Sequence, residues 1–205
     1  SFSYAPPTLE TQVEAMKLLL EVEGFSHLDV MGVSYGGFLC FGLASRFPDI
    51  FEKAIIVDSP GPFFSEEDIK ALLSRFKASS PEDIFVPETP AQVQGLLDLA
   101  LYKDRRVPGF ILKDMKKQLF SNYQQAQRGL LRDLPTHRGL GQDVRLSVQK
   151  PLVIWGSHDE VFPLETGQKL AAALDADWAV IPETAHAPMQ EQPAEFNKVL
   201  QAYLG

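Results

Sequence analysis

Three residue types that together perform acyl transfer occur in the order Ser34, Asp159, His186. Ser34 is the centre of Gly32-Val33-Ser34-Tyr35-Gly36, with an apolar run from Leu28 before it and an apolar segment to Phe47 after it. An extended run that passes without a gap into a helix forces a very sharp turn at the residue between them. A serine there is held in a strained backbone conformation, and the residues two before and two after are expected to lack bulk, as Gly32 and Gly36 do. The turn also points the backbone N–H of Tyr35, with a helix N-terminus behind it, at the place where negative charge develops on a carbonyl oxygen. The plain alternative is a tight turn whose serine only caps the helix. A bare G-x-S-x-G pattern does not decide between the two; the strand before and the helix after favour the nucleophile.

The other two residues stand in equivalent places. Pro151 to Gly156 is a short apolar strand run followed by a polar loop with Asp159, and Trp178 to Ile181 is another, followed by a loop with His186. All three residues therefore lie just past the C-terminal ends of expected strands, the edge at which open parallel sheets hold ligands. Each has competitors. Asp58 also follows a strand and is the second candidate acid. Among the histidines, His27 precedes the strand leading to Ser34 and lies at its wrong end. His137 is in a polar loop with no strand to position it, and His158 comes before Asp159. No histidine pair has the spacing of a metal site, so zinc or iron is disfavoured. The Lys-Ser/Thr of a phosphate-binding loop does not follow the glycines around Ser34, which disfavours nucleotides.

The stretches GVSYGG, WGSHDEVFP and PETAHAPMQEQPAEF resemble the α/β-hydrolase superfamily, and the resemblance covers nearly the whole chain. It implies Ser34 as nucleophile, Asp159 as acid, His186 as base and the Tyr35 N–H as half of an oxyanion hole, with no cofactor. Some relatives use an acid at the place of Asp58. Relatives that open epoxides or remove halides carry aspartate as nucleophile, so Ser34 disfavours those reactions. The segment from Pro87 to Met115 is similar to the cap of monoacylglycerol-lipase-like esterases and lipases, through cap spacing and the opening Pro87-Glu88-Thr89-Pro90. That similarity implies a medium or long acyl ester such as a monoacylglycerol as the small-molecule substrate. A thioesterase or a C–C bond hydrolase would use the same three residues. A non-catalytic binding protein is disfavoured because none of the three is missing.

These residues need a sheet with helices around it, and the chain reads as α/β. A helix is expected from about Thr8 to Glu23, then the Ser34 strand and helix, then a strand over Lys53 to Val57. Helices follow from Ser65, over Ala91 to Leu101, Gly109 to Leu119 and Asn122 to Leu131, with Thr166 to Leu174 and Pro193 to Leu204 after the insertion. The expected organisation is a core over residues 1–60 with the nucleophile turn, a helical cap over 61–148, and a core over 149–205 with the acid and histidine loops. Cap residues such as Phe63, Phe64, Phe85, Phe110 and Met115 are candidate walls of an acyl tunnel, or simply cap core. The 205 residues are enough for a sizeable core, and the formal charge of −8 argues against nucleic acid. No run of eighteen apolar residues is present to span a membrane. The single Cys40 excludes an internal disulfide and gives no sign of an oxidising compartment. Family members carry strands ahead of the first helix, including the loop with the second oxyanion N–H. The expectation is therefore a missing N-terminal segment that completes the sheet. Without it the chain would be poorly stable and weakly active, since one lost oxyanion donor costs about 10² to 10³ in rate.

Overall fold

The computed structural model describes residues 6–134, 146 and 150–205. Four strands form one parallel sheet in chain order: β1 (Leu28–Val33), β2 (Phe51–Val57), β3 (Leu152–Gly156) and β4 (Asp177–Ile181). Parallel neighbours need crossovers, and helices supply them. The chain runs α1 (Leu9–Val22), β1, α2 (Tyr35–Arg46), β2, then α3 (Glu66–Phe76), α4 (Pro81–Phe85), α5 (Pro90–Ala100), α6 (Gly109–Met115) and α7 (Gln124–Asp133). After β3 come α8 (Leu164–Leu174), β4, α9 (Pro188–Glu191) and α10 (Pro193–Leu204).

Strand period two divides the core into two layers. From β2 and β3, Ala54, Ile56, Val153 and Trp155 enter the larger cluster, with Val13 of α1, Phe41 of α2 and Leu170 of α8. The alternate residues Ile55, Val57, Leu152 and Ile154 enter the other, which Phe196 of α10 closes. All eight strand residues are nearly inaccessible, which accounts for their unbroken apolar run. The β1 strand differs. Among the described residues it pairs only with β2, and Met31 on the α10 side is 45% exposed.

Helix starts follow their caps. The Thr8 side chain accepts from the Thr11 N–H, Ser65 and Asp68 form a reciprocal box, and so do Thr89 and Gln92. The Pro87-Glu88-Thr89-Pro90 opening is thus a helix-start device, with Pro90 in the first turn. Three expectations change. The β2 strand begins at Phe51, because Leu28 pairs with it. The helix from Gly109 becomes a π-helical segment over Lys116–Phe120, where the Ser121 N–H reaches the Lys116 carbonyl. Helix α4 is too short to show a period. Its start is marked by Asp83, which accepts from the N–H groups of Ser79 and Ser80.

Candidate active site

The C-terminal ends of all four strands contribute to one cluster. Ser34 follows β1 directly and has φ 51° and ψ −118°, a conformation costing about 1–3 kcal/mol for a residue with a Cβ. Its N–H is tied to the Val57 carbonyl at 2.9 Å, which fixes the turn against β2. Its side chain does not cap α2. Instead, Ser34 Oγ lies 2.8 Å from His186 Nε2. His186 Nδ1 lies 2.8 Å from Asp159 Oδ2. The other Asp159 oxygen accepts from the N–H groups of Val161 at 2.8 Å and Phe162 at 3.1 Å, so the carboxylate cannot swing.

Crowding at the turn is one-sided. A Cβ on Gly32 would stand 2.5 Å from the Gly36 carbonyl oxygen and 2.6 Å from Cys40 Sγ. A Cβ on Gly36 would meet nothing within 4 Å. The expectation that both glycines are needed for space is corrected: α2 turns the Gly36 Cα away from the strand. Gly32 is the residue the close approach requires.

Asp58 belongs to the same cluster. It is fully buried at the end of β2, with φ 44°, and its Oδ1 accepts the Gly156 N–H at 2.8 Å. Ligand atoms of Asp58, Asp159 and His186 lie within 4.8 Å of one another. Burial, then the charge of Asp159, push the Asp58 carboxyl well above the usual carboxylate range. Only Asp159 has the hydrogen bond to His186. For His186 burial opposes the cation, but Asp159's charge and hydrogen bond, with Asp58 beyond, outweigh it and raise the pKa.

Neither of the other described histidines joins the cluster. His27 is exposed and lies 3.2 Å from Ser26 Oγ. His158 is exposed and stacks on Tyr102 at 4.3 Å. His137 lies outside the described residues, as does the 148/149 boundary of the expected cap. Cys40 is buried beneath the turn, and burial pushes its thiol up to about 12.

Two residues escaped the sequence reading. Glu191 accepts the Ala185 N–H at 2.7 Å and the Tyr102 N–H at 2.7 Å, so one carboxylate pins both the residue before His186 and the end of α5. The spacing Ala185 to Glu191 offers no period that would reveal this. Phe162, just beyond Asp159, meets the His186 ring edge-on at 5.5 Å and Phe64 at 5.2 Å.

A cavity of about 310 Å³ opens beside Ser34. Its walls come from α2 (Tyr35, Phe38), from α3 and α4, from α7 (Leu130, Leu131) and from Phe162. Of the wall candidates named from sequence, Phe64 and Phe85 line it. Phe63 packs on the core and Phe110 points to solvent. Among the described residues the lining carries no charged side chain. Its buried polar atoms, Tyr35 Oη and Gln127 Oε1, have no hydrogen-bond partner among the described residues.

A model of the alpha/beta hydrolase family matches residues 2–199. The chain belongs to the α/β-hydrolase family. It is 24% identical over 202 residues to the 2-hydroxy-6-oxo-2,4-heptadienoate hydrolase of Pseudomonas putida, covering 96% of this chain and 70% of that protein. It is 23% identical over 218 residues to epoxide hydrolase 3 of Xenopus tropicalis, covering 96% of this chain and 58% of that protein. A membrane phospholipase A described as a bacterial virulence factor has the same fold, with TM-score 0.80 and 20% identity over 98% of this chain and 64% of its own. So has an esterase of Thermogutta terrifontis, with TM-score 0.73 and 19% identity over 100% of this chain and 74% of its own. This α/β-hydrolase chain thus spans 58% to 74% of the length of these proteins.

Proposed function

We propose that the site hydrolyses carboxylic esters of neutral, apolar acyl groups through an acyl-serine intermediate. The hydrogen-bonded chain from Ser34 through His186 to Asp159, at the wall of an uncharged apolar cavity, carries this reading. His186 takes the Ser34 proton as Oγ attacks the ester carbonyl, and Asp159 holds the imidazole in the required tautomer. His186 then hands that proton to the departing alcohol. Water, deprotonated by the same His186, releases the acid. Tyr35 opens α2, and its N–H is among the first-turn amides that a helix leaves without an internal partner, so it suits the oxyanion. The helices from α3 to α7 would act as a cap whose α3, α4 and α7 receive the acyl chain. A monoacylglycerol satisfies these demands.

Two relatives bear names of other reactions. A dienoate such as the Pseudomonas putida enzyme's substrate is an anion, and the described cavity lining offers it no lysine or arginine. Serine attack on an epoxide would leave an ether that activated water does not cleave, whereas an acyl-serine is readily hydrolysed. Esters and thioesters fit best. Labelling with a fluorescent fluorophosphonate, alongside a p-nitrophenyl ester series of rising acyl length, tests the reading. The expected result is labelling and turnover that vanish in Ser34→Ala, with longer acyl chains preferred. Labelling that survives Ser34→Ala would overturn it.

A further inference from the structure

The helical segment between β2 and β3 presents a charge pattern unlike the rest of the chain. Residues 102–123 carry six basic and two acidic side chains, a net of +4, while the remainder of the chain carries −12. Five of the six basic residues, Lys103, Arg105, Arg106, Lys113 and Lys117, are exposed. Arg106 reaches an acid, Asp98, at 3.9 Å. The loop before α6 is held in place: Gln94 donates to the Arg105 carbonyl at 2.8 Å and accepts the Val107 N–H at 3.0 Å.

Apolar side chains share this surface. In α6 the single buried residue is Leu112, and on the opposite side Phe110 is 74% exposed, with Ile111 beside it. Phe110, Lys113 and Lys117 follow one another at i, i+3 and i+7, so one outward face carries an aromatic ring among cations. Leu119 adds a further exposed apolar group along the same helical stretch. A large apolar side chain left in water within a basic field is what an anionic interface accepts. The ring and stems enter the acyl boundary while the ammonium and guanidinium groups meet phosphate.

We infer that the face formed by the 102–106 loop and α6 docks on an anionic lipid surface. No described helix is long and apolar enough to cross a membrane, and this face would meet the lipid headgroups without spanning them. It does not depend on the ester-hydrolase reading, since it rests on surface residues that do not line the cavity. If both hold, docking brings the protein to a surface where apolar esters concentrate.

Co-sedimentation of the whole chain with phosphatidylglycerol vesicles and with phosphatidylcholine vesicles tests the inference. Binding to the anionic vesicles alone, weakened by salt, is expected. The variants Lys113→Gln and Lys117→Gln should each weaken it roughly fivefold, and Phe110→Ser should weaken it further. Thermal melts of each variant separate lost docking from lost folding. Equal binding to both vesicle types, or variants that fold and bind like the parent, would overturn it. So would exclusion chromatography showing that Phe110→Ser dissolves a self-association, because the face would then meet a second copy.

Discussion

His186 stands between two carboxylates of unequal standing. Buried Asp159 accepts from two backbone N–H groups and holds the imidazole, while Asp58 accepts one N–H and, among the described residues, has no partner for Oδ2. Burial and the charge of Asp159 raise the Asp58 carboxyl, and His186 is bonded to Asp159 instead, so Asp58→Asn, which can still accept the Gly156 N–H, should leave kcat/KM within about tenfold of the parent. Asp159→Asn should cost on the order of 10⁴, because it loses both charge and tautomer control. A base must be neutral to act, and the His186 pKa is raised from 6.5. Ester hydrolysis is therefore expected to rise with pH along a limb centred above 6.5, and Asp159→Asn should move that midpoint down. Linkage gives the matching sign for stability. A histidine raised on folding stabilises fully below its unfolded pKa, and that contribution is lost as pH climbs through the folded value. Melting temperatures across this range, for the parent and His186→Gln, check it.

At the scale of elements, the turn between β1 and α2 makes opposite predictions for two glycines. Gly32→Ala would force a Cβ against the Gly36 carbonyl and Cys40, backbone and buried sulfur that cannot yield, so a loss of several kcal/mol and of labelling is expected. Gly36→Ala meets open space inside a helix and should stabilise by up to about 1 kcal/mol. Denaturant titration of both variants decides. Glu191→Ala frees two N–H groups, and about 1–3 kcal/mol should go with them. Activity should fall more than stability alone explains, since Ala185 precedes His186. Helix starts were legible where a side chain caps locally, as at Thr8 and Ser65, while the Thr89 cap lay hidden in a helix expected from Ala91. The π-helical turn at Lys116 was not, because i→i+5 bonding leaves no mark in the residue pattern.

At the scale of the molecule, one edge of the described sheet lies open. Among the described residues β1 offers a free parallel edge, and Met16, Leu19, Val22, Phe25 and Met31 expose apolar surface from α1 onward. Parallel strands are ordinarily covered on both faces, and an open edge invites another strand. We propose that a further segment pairs there and brings the second oxyanion N–H. The chain alone should then show faster hydrogen exchange in β1 than in β2 and β3, and a self-association that Met31→Lys reduces. Equal protection of the three strands would refute this.

Sequence alone determined the order of elements and the residues at the strand ends. Apolar runs of strand length, local caps and the small residues around Ser34 are properties of neighbours in the chain. It favoured Asp159 over Asp58 as the acid with no distance to decide between them, took Gly36 for a steric necessity, and looked for the acyl pocket across the whole cap. Those points turn on distances between residues far apart in sequence. Only the tertiary structure placed Asp159 rather than Asp58 on His186, put Glu191 beneath the histidine loop, and turned Phe110 outward while Phe162 faced inward. The physical reason is that hydrogen-bond partners and wall contacts arise from packing between layers, which no local period encodes.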